Sequence, residues 1–217
     1  MSAYRRGGFL RFAAAQFVVL TAIAMALYAG GTWADPTTPH YELAHNFFSD
    51  LGATRAFSGR SNYVSAVVFA IALVTIGGAL VAFAWTWREL AIERRARWAG
   101  IASVAFGTAS GLAFAGVGLA PVDHVLALHN HLVLTAFGCL LGYVACLTIV
   151  VWRNHVPGLA VNVAYVMLVL GYVAVVVFGP WRLTLQVLAQ KTIVYASMVH
   201  IIYLTTIVRR VVSRPPG

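Results

Sequence analysis

The amino-acid sequence predicts an all-α, polytopic integral membrane protein. We expect one domain over residues 1–217, a bundle of six transmembrane helices with a short amphipathic helix in the first outer loop. Hydrophobic residues make up 61% of the chain and charged residues 10%, against roughly 45–50% and about 25% in soluble domains. Six apolar stretches reach the length of about 20 residues that a helix needs to cross the hydrocarbon. The stretches do not alternate in polarity, which excludes the strands of a membrane barrel.

The six predicted spans cover residues of about 12–33, 63–85, 98–120, 125–150, 159–178 and 188–208. Polar or turn-forming segments separate them, among them residues 33–36, 94–97, 154–158 and 179–180. Arg5 and Arg6 before the first span faintly resemble a twin-arginine signal. Because the first span is longer than a signal-peptide core and five spans follow it, we expect an uncleaved helix.

The basic residues predict the orientation of the helices. Eleven of the 15 lie at the two termini and in the second and fourth loops, which also carry Glu89 and Glu93. The positive-inside rule therefore predicts a multi-pass protein of the plasma membrane with both termini cytoplasmic. The cytoplasmic charge is then 11 − 2 = +9, the whole net charge of the chain. Anionic lipid headgroups explain this charge, so we expect membrane lipids as partners and no nucleic acid.

The long first outer loop, residues 34–62, contains a segment with helical periodicity at residues 42–51. One arc of this predicted helix carries polar side chains and the other carries apolar ones. The polar residues are Glu42, His45, Asn46, Ser49 and Asp50, and the apolar residues are Leu43, Phe47, Phe48 and Leu51. The segment is either an ordinary interfacial helix with a wetted face or one wall of a site.

Two further groups of polar residues are predicted at the same face of the membrane. Asp123 and His124 lie in the short third loop, before a fourth span that includes His129 and His131. On the sixth span, helical geometry aligns Arg182, Gln186, Gln190, Ser197 and His200. Such a line of polar side chains is either the glue of interhelical hydrogen bonds or the wall of a cavity.

Two short motifs carry a resemblance to a known family. They are His-Asn-Phe-Phe-Ser-Asp-Leu-Gly at residues 45–52 and Leu-Gln-Val-Leu-Ala-Gln-Lys at residues 185–191. With them, the chain resembles the six-helix prokaryotic membrane family catalogued as domain of unknown function 998. It is more distantly similar to the eukaryotic Frag/DRAM/Sfk group, which also has a Ser-Asp pair after its first helix. The resemblance implies the six-helix fold and no firm activity.

The leading functional hypothesis is a binding protein with an outward-facing polar pocket. Its ligand would be a lipid headgroup or a small polar molecule, held by Asn46, Asp50, Gln186, Gln190, Arg182 and Lys191. Arg182 and Lys191 at the rim suit a phosphate or a carboxylate. A small transporter, or a subunit that packs against a membrane-protein partner or a second copy of the chain, are further alternatives.

The alternative from another class is a zinc-dependent membrane hydrolase that acts on lipid at the outer face. His45, His124 and His200 would bind the metal, with His129 or His131 as substitutes for the third ligand. Asp50 or Asp123 would orient a ligand or act as the base, and Ser49 would help to hold an oxyanion. His45 followed by Ser49 resembles the ceramidase-like hydrolases. Those enzymes have seven spans and a His-x3-His pair on the last one, whereas this chain has six predicted spans and only His200 there.

Overall fold

The computed structural model describes residues 3–90, 96–153, 155, 158–178 and 183–212. Within these ranges the chain forms six α-helices and one short 3-10 helix, η1, and no strand. The elements are α1 (Ala3–Leu27), η1 (Phe48–Gly52), α2 (Tyr63–Leu90), α3 (Arg97–Leu119), α4 (Leu126–Arg153), α5 (Leu159–Phe178) and α6 (Leu183–Val212). All six α-helices are long and apolar enough to cross a membrane. The predicted six-helix membrane fold is therefore confirmed.

The helices form a closed ring. Each helix packs against its neighbours in the chain, and α1 also packs against α6. We name the end that carries residues 28–62 and 120–125 the loop end, and the opposite end the terminal end. Large apolar side chains fill much of the ring, including Phe83, Leu147 and Leu204, which are almost completely buried.

Helices α2 and α3 approach each other closely, and glycine makes this approach possible. A Cβ atom on Gly77 would lie 2.4 Å from the carbonyl oxygen of Gly111, and one on Gly111 would lie 2.5 Å from that of Gly77. Small residues that allow such contact are typical of membrane helix interfaces.

The first helix ends at Leu27 rather than near residue 33 as predicted. Gly30 and Gly31 have φ angles of +92° and +84°, which a right-handed helix cannot include. At Gly31 the chain also passes so close to the loop that a Cβ would lie 2.2 Å from the backbone nitrogen of Ser58. The glycine pair therefore ends the span and turns the chain into the first loop.

The predicted amphipathic helix over residues 42–51 is much shorter than expected. Residues 43–45 form a turn, and only Phe48–Gly52 is helical, as the 3-10 helix η1. The predicted polar and apolar arcs are also wrong in part. Asn46 is fully buried and Asp50 is nearly so, whereas Leu43 is 59% exposed. The segment folds inward onto the ring, where its backbone bonds side chains of α6 and the side chains of Asn46 and Asp50 bond each other and the loop.

Candidate functional site

A cluster of buried polar side chains joins the first loop to α6 at the loop end. We name it the loop-end cluster, and it consists of Tyr41, Asn46, Asp50, Gln190 and Lys191. Asn46 is its centre: its Oδ1 accepts a hydrogen bond from the backbone N–H of Glu42 at 2.9 Å. Its Nδ2 donates to the carbonyl of Gly31 at 3.0 Å and to Oδ2 of Asp50 at 3.2 Å. One amide thus fixes three separate points of the loop.

The sixth helix holds the same stretch of loop by its backbone. Gln190 Oε1 accepts a hydrogen bond from the N–H of Phe48 at 2.9 Å. Lys191 Nζ donates to the carbonyl of Asn46 and lies 5.3 Å from the centre of the Tyr41 ring. The two motifs that the sequence singled out, residues 45–52 and 185–191, therefore meet in space.

Aromatic contacts and a backbone hydrogen bond fix η1 below the loop-end cluster. Asp50 Oδ2 accepts from the N–H of Phe47 at 2.8 Å and so caps the short helix. The Phe48 ring reaches into the ring of helices, where its centre lies 5.5 Å from that of Tyr195 and 6.3 Å from that of Phe17. The Ser-Asp-Leu-Gly motif is consequently the part of the loop that packs directly on the core of the helix bundle.

Burial dominates the electrostatics of Asp50. It raises the pKa of this carboxyl to about 6, although hydrogen bonds from Asn46 and Phe47 and the positive charge of Lys191 act in the opposite direction. Burial, together with the nearby charge of Asp50, also raises the pKa of Tyr41 far above its ordinary range. Both effects follow because a buried charge loses its hydration. The cluster is thus a place where the protonation of one carboxyl changes near neutral pH.

We expect the stability of the protein to fall as the pH rises from about 4 to about 7. A raised pKa means that the folded state holds the proton of Asp50 more tightly, so this contribution is lost as the carboxyl ionises. Asp50→Asn keeps an oxygen acceptor and cannot ionise. Relative to that variant, the free energy of unfolding of the wild type should decline by about 2 kcal/mol over this range. Thermal unfolding in detergent at a series of pH values measures it, and parallel pH profiles would contradict it.

The ligand-binding residues predicted at this face do not form the wall of an open polar pocket. Asn46, Asp50, Gln190 and Lys191 lie together, as expected, but none is more than 8% exposed. Each uses its polar atoms on the protein itself. Gln186 lies one helical turn from Gln190 and is half-buried, and Arg182 lies outside the described residues. The structure thus replaces the predicted open pocket with a closed polar layer.

A second connection at the loop end involves Asp123 and His124. Asp123 accepts hydrogen bonds from the Thr54 N–H at 3.0 Å, from Thr54 Oγ1 at 2.7 Å and from the Arg55 N–H at 3.0 Å. His124 Nε2 lies 2.8 Å from the same Thr54 hydroxyl. Partial burial raises the pKa of Asp123, but the hydrogen bonds outweigh it and hold that pKa below its ordinary range. Asp123 therefore fastens the loop to the α3–α4 connection.

Asp123→Ala should destabilise the protein by about 1 kcal/mol, because a carboxylate with several donors is removed from a solvent-accessible position. Asp123→Asn keeps one oxygen acceptor and should lose about half as much. Thermal unfolding of both variants in detergent measures the effect. Because the folded-state pKa is lowered, the difference between wild type and Asp123→Ala should vanish in strong acid. If the stability difference between wild type and Asp123→Ala were constant with pH, the charge of the carboxylate would have no part in fastening the loop.

The three histidines predicted as zinc ligands are not brought together. His45 Nδ1 pairs with Glu42 at 2.9 Å, His124 pairs with Thr54, and His200 Nε2 pairs with Asn162 on α5 at 2.8 Å. Across the described ranges, no group of three His, Cys, Asp or Glu side chains is arranged to hold a metal ion. His200 lies towards the terminal end, far along α6 from Lys191 at the loop end. The hydrolase hypothesis thus loses its predicted metal centre.

Some of the polar residues aligned along α6 make hydrogen bonds and stacking contacts with a neighbouring helix. Tyr165 of α5 stacks on His200 with 4.1 Å between ring centres, and its hydroxyl bonds Ser197. With the bond from His200 to Asn162, these contacts fasten α5 to α6. Of the two alternatives left open by the sequence, hydrogen bonding between helices describes His200, whereas Ser197 and Gln190 also line a cavity.

Two adjoining cavities occupy the centre of the ring. They enclose about 450 Å³ and about 410 Å³, including the space at their mouths. They share Phe17, Leu73, Phe114, Phe137 and Val194. The first continues towards the terminal end as far as Ile201, and the second reaches up to Phe48, Ser49 and Gln190 below the loop-end cluster. Almost all the side chains that line both are apolar.

Comparison with known proteins identifies the family of the chain. A family profile described as a protein of unknown function, DUF998, matches residues 22–206, which is most of the chain. The chain belongs to the DUF998 family. No curated protein and no solved structure matches it. The more distant likeness to the Frag/DRAM/Sfk group stays a prediction.

Several residues that organise the site in this DUF998 protein escaped the sequence analysis. Asn62 Oδ1 accepts from the N–H of Ala29 at 3.1 Å, and its Nδ2 donates to the carbonyl of Ala53 at 2.9 Å. Ser65 Oγ lies 3.1 Å from the carbonyl of Leu51. The only signal for either residue is a polar side chain at the start of α2. His129 was considered only as a substitute zinc ligand, and the structure buries it to 2% exposure.

Proposed function

We propose that this DUF998 protein binds a single-chain amphiphile of the membrane inside its ring of helices. The observation that carries the proposal is the pair of adjoining apolar cavities that ends below the loop-end cluster. From Gln190 to Ile201 the cavities follow α6 for roughly 16 Å. An alkyl chain along this path would exchange lipid contacts for contacts with Phe17, Leu73 and the other lining side chains.

The apolar lining favours a chain rather than a polar solute. Apolar cavities in proteins stay dry and take up apolar ligands, whereas a polar solute would lose its hydration without gaining partners. Among the residues that line the cavities, Ser49 and Gln190 lie at the loop end of the second cavity, and Ser197 lines the first with its hydroxyl bonded to Tyr165 and to the carbonyl of Ile193. This polarity gradient suits a molecule whose tail points to the terminal end and whose head lies under η1.

The loop-end cluster acts in this proposal as the lid of the cavity. Its polar atoms pair with one another and with the backbone of the first loop, so the cluster separates the cavity from water without leaving its own buried groups unpaired. The hydrogen bond from Phe48 to Gln190 connects the lid to the cavity wall. The ligand-binding role predicted for Asn46, Asp50 and Lys191 thus becomes an indirect one, in which these residues keep the lid closed over the head of the ligand.

Photo-labelling tests this function. Purified protein in detergent is exposed to a diazirine-bearing hexadecanol, and the labelled peptides are identified by mass spectrometry. We expect labels on cavity residues of α1, α2, α3 and α6. Leu73→Trp fills the cavity and should reduce this labelling about tenfold. Val74→Trp is the matched control, because Val74 is 39% exposed on the outer surface of α2 whereas Leu73 is 5% exposed.

Labels confined to outward-facing residues, or equal losses in the two tryptophan variants, would contradict the proposal. Equal circular dichroism and elution profiles of the two variants establish that both fold. Unlabelled hexadecanol should also compete with the probe, because a defined site must saturate. If an excess of it did not reduce the labelling of the wild type, the proposal would be contradicted.

The proposal places the loop end at the outer face of the plasma membrane, as the positive-inside rule predicts. Reporter fusions test this orientation. A green fluorescent protein at the carboxyl terminus should fluoresce, and alkaline phosphatase at the same position should stay inactive. The reverse pattern would put the lid on the cytoplasmic side.

A further inference from the structure

His129 is a buried imidazole with one nitrogen in use and the other without a partner. Nδ1 lies 2.7 Å from the carbonyl oxygen of Ala120, at the end of α3. Nε2 is buried and meets no hydrogen-bond partner among the described residues. Only 2% of the residue is exposed, so water does not satisfy this nitrogen at the surface.

The bond to Ala120 determines what Nε2 can do. A carbonyl oxygen only accepts hydrogen bonds, so Nδ1 must carry the proton and donate. In the neutral ring, Nε2 is then a fixed acceptor with its lone pair in the plane of the ring. A buried acceptor without a donor costs about 1–3 kcal/mol. Such a group at this position is explained if a molecule absent from the protein chain supplies the donor.

The position of His129 points to the cavity as the source of that donor. Val133 and Val117 line the second cavity from α4 and α3. His129 lies one helical turn beyond Val133 towards the loop end, on the same face of α4. Ala120, its partner, follows Val117 by three residues at the end of α3. The imidazole thus lies next to the loop-end margin of the cavity, one helical turn from the lining residue Val133, at the level where the head of a ligand would lie.

We propose that Nε2 of His129 accepts a hydrogen bond from a hydroxyl group at the head of the bound amphiphile. This inference rests on the proposed function and adds the chemical class of the ligand, a long-chain alcohol or the hydroxyl-bearing head of a neutral lipid. An ionised carboxylate has no proton to donate to Nε2. A buried ammonium would need a counter-charge, and the one buried carboxylate of the loop-end cluster, Asp50, already faces Lys191.

Binding of two ligands with the same chain tests the inference. Hexadecanol can donate a hydrogen bond, and hexadecyl methyl ether cannot. Each competes against the diazirine probe for the purified protein in detergent. We expect the wild type to bind the alcohol about five- to tenfold more tightly than the ether. His129→Asn keeps a donor close to the position of Nδ1, removes Nε2 and should bind both ligands equally.

Two further variants separate this effect from misfolding. His129→Gln offers an oxygen close to the position of Nε2 and should keep part of the preference for the alcohol. His131→Asn is the matched control, because His131 Nδ1 also bonds a backbone carbonyl, that of Ala127, but the residue is exposed. It should leave the preference unchanged.

Nitrogen-15 NMR of labelled histidine gives an independent readout. Addition of hexadecanol should move the Nε2 resonance of His129 towards the position of a hydrogen-bonded acceptor, and the ether should not move it. A resonance that is already hydrogen-bonded in the ligand-free protein, and that hexadecanol leaves unchanged, would show a trapped water and overturn the inference. So would equal affinities of the wild type for the two ligands. Failure of both ligands to compete would overturn the proposed function itself.

Discussion

Asn46→Ala should lower the thermal midpoint of the protein in detergent by roughly 10 °C, which corresponds to a loss of about 3 kcal/mol. The variant removes three hydrogen bonds from a side chain that is 0% exposed. The carbonyl of Gly31 and the N–H of Glu42 then lose their partner, and Asp50 loses a donor in a buried position. Differential scanning fluorimetry of the purified variant measures the shift.

Asn130→Ala is the matched control for this prediction. Asn130 lies in the first turns of α4 at the same end of the bundle, but it is exposed. Its replacement should change the midpoint by no more than about 1 °C. Similar midpoints for Asn46→Ala and Asn130→Ala would mean that the loop-end cluster contributes little to stability, and its role as a lid would then be untenable.

The sequence was sufficient for the six helices because length and hydrophobicity are local properties of each span. It was insufficient for where the first span ends, since that depends on the positive φ angles of Gly30 and Gly31 and on a close contact with Ser58. The same distinction holds in the first loop. The periodicity of residues 42–51 predicted a wetted polar face, but partners on α6, more than 140 residues later in the chain, bury Asn46 and Asp50.

Most residues of the candidate site could be predicted from the sequence, but the hydrogen bonds that they make could not. Asn46, Asp50, Gln190 and Lys191 were all singled out as polar groups of one membrane face, and they do meet. Their hydrogen bonds go mainly to backbone atoms of the first loop, which no pattern of residue types specifies. A helical wheel likewise gives the position of His129 relative to its own helix only. It does not reveal that the carbonyl of Ala120 orients the ring or that Nε2 is left without a partner.

The loop-end cluster and the cavity are connected through Phe48. Its backbone N–H belongs to the polar layer through Gln190, whereas its ring lines the cavity beside Phe69, with 6.4 Å between the two ring centres. A movement of η1 that admitted a ligand would therefore have to break the Phe48–Gln190 bond and shift an aromatic wall at the same time.

Gly77→Ala should destabilise the protein by about 2–3 kcal/mol, whereas Gly78→Ala should stabilise it by about 0.5 kcal/mol. The new Cβ at Gly77 would lie 2.4 Å from the carbonyl oxygen of Gly111 and 3.0 Å from the backbone nitrogen of Ala115. Both atoms belong to the backbone of α3, so relief requires the two helices to separate. At Gly78 nothing lies within 4 Å of the new atom, and alanine favours the helix.

Because the two variants introduce the same atom at adjacent residues, opposite shifts of the thermal midpoint isolate the α2–α3 contact from helix propensity. Gly111→Ala should cost about as much as Gly77→Ala, since its Cβ would lie 2.5 Å from the carbonyl oxygen of Gly77. One separation of the helices relieves both clashes, so the double variant should cost less than the sum of the two single ones. A strictly additive double variant would show that each glycine acts on its own helix alone, and the close approach described here would be wrong.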